Sequence, residues 1–89
     1  MLGRVDDRWG DRLREVVRRR HFVDREPGVL LIWLPADEPV RQELPQLARR
    51  VEARHLAARC TVLKSGAALA LQVAARESDL AAIEMAYLD

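Results

Sequence analysis

The chain has 89 residues, 49% of them hydrophobic and 33% charged, which makes one small domain with enough apolar material for a packed core. That apolar fraction excludes a disordered tail. A formal net charge of +1 argues against a strong polyanion binder, and a single cysteine, Cys60, allows neither an internal disulfide nor a cysteine-based metal site.

The opening stretch MLGRVDDRWGDRLRE lacks the apolar core of a signal peptide, and no apolar run is long enough to cross a membrane. A cytoplasmic protein without a membrane partner is expected. Fourteen of the fifteen basic residues are arginine and asparagine is absent, which fits a GC-rich bacterial coding sequence. Charge is uneven along the chain: residues 12 to 25 and 41 to 60 are arginine-rich, whereas the stretch from 61 onward is net acidic.

A first helix is expected over about Val5 to Arg20, within an N-terminal helical segment 1–22. Val5, Trp9, Leu13, Val16 and Val17 fall within about 80° of one another on its wheel, a stripe suited to a core. Asp6 and Asp7 suit its positive end, and Arg18, Arg19 and Arg20 its negative end. The segment DREPG then reads as a break. GVLLIWLP, residues 28–35, follows as a strand apolar on both faces, the pattern of a sheet covered on both sides.

A second helix is expected after PADEP, capped by Asp37 or Glu38, with Pro39 in its first turn and an end near Ala57. Pro45 should kink or divide it. RCTVLK and ALALQVAA flank a Ser65–Gly66 turn, which pairs Val62 with Leu69 and Cys60 with Leu71. Those four residues and Val73 then share one face. Thr61, Leu63, Ala68 and Ala70 share the other, which is small and mildly apolar. Ser78 is the expected cap of a last helix running to the chain end.

The expected fold is therefore a single α+β domain over 1–89, ordered helix-β-α-β-β-α. Residues 28–88 resemble a ferredoxin-like split β-α-β sandwich with a three-stranded sheet, lacking its last strand. The resemblance is one of element order and implies no activity. KH domains share this order, but their Gly-x-x-Gly loop has no counterpart in DEPVRQELPQL. With the fourth strand missing, VLLIWL would be an exposed apolar edge, to be covered by the first helix or by a second copy of the chain. A homodimer is the expectation.

No catalytic or metal-binding motif is present, and no cofactor is expected. Cys60 reads as a small core residue. Each helix places one ionisable residue inside its apolar stripe: Arg20, His55 and Glu84. Three readings follow: side chains reaching water at helix ends, an ion pair between helices, or a polar pocket for an anionic or zwitterionic small molecule. Arg18, Arg19, Arg49, Arg50 and Arg54 could instead form a phosphate-binding face for RNA or a ribosomal partner, although exposed aromatics to stack bases are few. The leading reading is a non-enzymatic, homodimeric binding module. RNA binding is the alternative, and a small enzyme or ligand sensor built on the polar pocket is the third.

Overall fold

The computed structural model describes residues 8–88, so Val5, Asp6 and Asp7 of the expected first helix lie outside the described residues. Seven elements follow in chain order: α1 (Arg8–Arg18), β1 (Phe22–Glu26), β2 (Val29–Pro35), α2 (Glu38–Arg54), β3 (Arg59–Ser65), β4 (Ala68–Ala74) and α3 (Glu77–Tyr87). The four strands form one antiparallel sheet ordered β1-β2-β4-β3.

The sheet has four strands instead of the expected three, and the ferredoxin-like order is replaced by two successive ββα units. The unforeseen strand is β1. Its Asp24–Glu26 fall in the expected DREPG break, yet Pro27–Gly28 folds the strand straight back onto β2, pairing Glu26 with Val29 and Phe22 with Trp33. Proline fixes the first turn position and Gly28, at φ 79°, takes the second, the chemistry of a type II turn. VLLIWL is consequently an inner strand, held by β1 on one edge and β4 on the other. The two hairpins match: Phe22↔Trp33 and Glu26↔Val29 in the first correspond at constant offset to Thr61↔Gln72 and Ser65↔Ala68 in the second. The antiparallel β2–β4 pair joins the halves about a pseudo-twofold axis.

The second hairpin turns at Gly66–Ala67, one residue later than expected. Gly66 has φ 60° and no described non-glycine residue has positive φ, so glycine stands first, as in a type II′ turn. Val62 therefore faces Leu71, and Cys60 faces Val73. The partners move by two residues, an even number, so every side chain keeps its expected face.

Helix ends follow local chemistry. The Asp37 side chain accepts from the Val40 N–H at 3.1 Å and Pro39 sits in the first turn of α2, as expected. Pro45 does not divide α2, which runs unbroken to Arg54. α3 begins after Arg76, which makes no side-chain cap bond; Ser78 lies inside the helix and does not cap it.

The three helices share one side of the sheet. Leu13, Val16 and Val17 of α1, Val40, Leu44, Leu47 and Val51 of α2, and Leu80, Ile83 and Tyr87 of α3 close over Leu30, Ile32, Leu34, Leu69, Leu71 and Val73. Arginines hold α1 between its neighbours. Arg12 forks onto Glu43 of α2, with Nε at 2.9 and 3.0 Å from the two carboxylate oxygens, and Arg14 Nε donates to the Ala86 carbonyl of α3 at 2.9 Å. The first helix thus joins the helical layer and does not cover the opposite face.

Candidate functional site

Strand alternation sends every second residue away from the helices. Across β1-β2-β4-β3, the outward residues form rows: Phe22, Trp33, Ala70 and Leu63; then Asp24, Leu31, Gln72 and Thr61; then Glu26, Val29, Ala74 and Arg59. Pro35, Ala68 and Ser65 begin a further row. On the two inner strands this face is apolar except for Gln72, and polar groups gather on the edge strands. No described helix lies over it. Phe22, 55% exposed, stacks on Trp33 with ring centroids 5.9 Å apart, and the indole Nε1 donates to Asp24 at 3.3 Å. Trp33 and Leu63 flank Ala70, which is fully buried on this otherwise open face.

A second feature lies where α1 and α3 end. A cleft of about 560 Å³ is lined by Arg14, Arg18, Arg20, His21, Phe22, Tyr87 and Leu88. A neighbouring cleft of about 420 Å³ shares Arg14 and Tyr87 with it and adds Trp9, Arg54 and His55. Tyr87 is the hinge between them. Its ring packs against Trp9 at 6.0 Å and His55 at 5.9 Å, with the Arg14 guanidinium 6.0 Å from its centroid. Tyr87 Oη and His55 Nε2 lie 3.2 Å apart; the imidazole tautomer sets which of them donates. Burial pushes the Tyr87 phenol up. Burial, and then the Arg54 charge, holds His55 below the usual histidine range.

The three ionisable residues singled out in sequence do not converge. Arg20 lies beyond the end of α1, which stops at Arg18, so its wheel position does not apply; its Nη1 donates to the Val17 carbonyl at 2.9 Å. His55 closes α2 and meets Tyr87. Glu84 lies 3.5 Å from Arg25 Nε, and Arg25 also forks onto Glu77, so the acids of α3 answer a strand arginine. The hydrogen-bonded Arg25, and then the Gly28 N–H, hold the Glu77 carboxyl below its usual range. Arg20 and His55 thus border adjoining clefts, and Glu84 borders neither.

The five arginines of the RNA reading are also spread out. Arg49, Arg50 and Arg54 are exposed along α2, Arg18 lines the cleft at the end of α1, and Arg19 pairs with Asp37 at 2.8 Å. Cys60 is half-buried on the helical side, and burial, with Glu52 beside it, pushes its thiol up to about 12. Such a thiol is a poor nucleophile. Among the described residues no three potential ligands are grouped to hold a metal ion, and no helix is long and apolar enough to cross a membrane.

Sequence reasoning missed Phe22 and Trp33 as surface residues because the β1 strand that aligns them was unseen. It missed Tyr87 and Arg14 because their roles depend on the packing of α3 against α1. No family model matches the chain, and neither the curated proteins nor the solved structures searched contain a match.

Proposed function

We propose that this chain is a self-associating interaction module, whose open sheet face docks against the same face of a second copy. The observation that carries this reading is the apolar centre of that face, left bare by all three helices. An apolar centre within a polar rim is the anatomy of a protein interface.

The arrangement of residues favours a second copy over an unrelated partner. Bulky outward residues lie on β2 (Leu31, Trp33, Pro35) and small ones on β4 (Ala68, Ala70, Ala74). A two-fold axis parallel to the strands lays β2 of one copy over β4 of the other, with rows kept. Trp33 then faces Ala70, and Phe22 on one edge faces Leu63 on the opposite edge. The same operation brings the acidic corner, Asp24 and Glu26, over the basic corner, Arg59. Aligned sheets cross at about 30°, which displaces corners by a few ångströms, within reach of glutamate and arginine side chains. Four strands about 4.8 Å apart and about 24 Å long give a patch of roughly 450 Å² in plan before side-chain relief. A standard interface takes about 800 Å² of accessible surface per partner. A cytoplasmic setting suits the single thiol.

Charge exchange tests the arrangement. Glu26→Arg and Arg59→Glu should each weaken self-association, and together they should restore much of it, because the pair is re-formed with reversed sign. Two single variants that associate like the wild type would remove this arrangement.

A further inference from the structure

We infer that the cleft between the ends of α1 and α3 binds a small phosphate-bearing anion through Arg18 and Arg20. Apart from Phe22, which borders both, this site is carried by different residues from the sheet face, and it does not rest on self-association.

Charge makes the first argument. Three arginines line the cleft, and no carboxylate is found among its described lining residues. Arg14 is balanced by Asp11 at 2.6 Å. Both helices present their C-terminal ends here, each equivalent to about half a negative charge. Arg14 and Arg20 answer those ends directly, donating to the Ala86 and Val17 carbonyls. Among the described residues this balance leaves an excess of about one positive charge.

Spare donors make the second argument. A guanidinium carries five N–H donors, and Arg20 uses one of them on the Val17 carbonyl. Arg18 makes no hydrogen bond or ion pair with any described residue, although its side chain borders this cleft and the adjoining one on α1. Capping the helix ends therefore accounts for Arg14 and for one bond of Arg20, but not for Arg18. Two guanidinia and an imidazole lining one cleft suit a tetrahedral, multiply charged group. A lone carboxylate is satisfied by a single arginine fork. The cleft, about 560 Å³, leaves room beside the phosphate for the rest of a small molecule, against the rings of Phe22 and Tyr87.

The test is a titration of the ¹⁵N-labelled chain at fixed ionic strength with inorganic phosphate, pyrophosphate, adenosine monophosphate and acetate. Pyrophosphate should give saturable shifts confined to amides of residues 14–22 and 86–88. Acetate should bind at least about tenfold more weakly. Adenosine monophosphate binding tighter than phosphate would support an organic ligand packed on the rings, and equal affinity would support recognition of the phosphate alone. Arg18→Gln with Arg20→Gln should weaken pyrophosphate about tenfold or more. Arg49→Gln with Arg50→Gln, on α2, should leave it unchanged. A circular-dichroism melt within about 4 °C of wild type shows that each variant is folded. Non-saturating shifts, equal losses in both double variants, or acetate binding as tightly as phosphate would overturn the assignment.

Discussion

The two faces of the sheet are made by the same strands, yet they differ in kind. On the two inner strands the inner face is leucine, isoleucine and valine: Leu30, Ile32 and Leu34 on β2 and Leu69, Leu71 and Val73 on β4, all at most 3% exposed. Fully burying each such side chain is worth about 1.5–3 kcal/mol, and this face holds the fold together. The outer face sets bulky residues on β2 against alanines on β4, with charges at the edges. Trp33 and Leu31 lie at its middle and Leu63 on its edge, apolar area that the proposed self-association would cover. One face supplies stability, and the other is the one proposed to meet a second copy.

Substitutions on the two faces should therefore separate stability from association. The largest effect belongs inside. Leu71→Ala, 1% exposed within the core cluster, should cost about 2–5 kcal/mol in urea denaturation. Leu63→Ala, half-buried on the outer face, should cost less than about 1 kcal/mol at dilution where copies are apart, while weakening self-association. Similar losses from both would erase the distinction between the faces.

A smaller effect belongs to the turn that fixes which residues face which way. Gly66→Val should destabilise by about 1 kcal/mol or more, since φ 60° is strained for a β-branched residue although no atom stands within 4 Å of the added Cβ. An unchanged melting temperature would show that the hairpin does not depend on this conformation.

The helical layer was legible in the sequence because helical periodicity and sheet alternation survive small boundary errors. Leu13, Val16 and Val17 are buried where the stripe places them, and Asp37 caps α2. The second hairpin kept its faces although its turn lies one residue later, because the register error was even. The β1 strand was not legible. Its charges look like a loop, and they are tolerated in a strand because Arg25 meets Glu77 and Glu84 of α3, a contact that only the packed fold creates. From that miss came the wrong edge: VLLIWL lacks neither neighbour, and among the described residues what it lacks is a cover on one face. The Arg20-His55-Glu84 group failed to assemble for a similar reason. A helical wheel projects direction from one helix alone, and it cannot foresee that α1 ends at Arg18 or that Glu84 answers a strand.

Sedimentation equilibrium of the wild-type chain between about 1 and 100 µM, the range in which interfaces of this size associate, decides whether the outer face pairs two copies. Self-association gives a mass approaching twice the 10.2 kDa of the single chain, and a return to the single-chain mass for Leu31→Lys, folded but carrying a charge at the centre of the outer face. A wild-type chain that stays at 10.2 kDa throughout that range, or a folded Leu31→Lys that associates as strongly as the wild type, would contradict it.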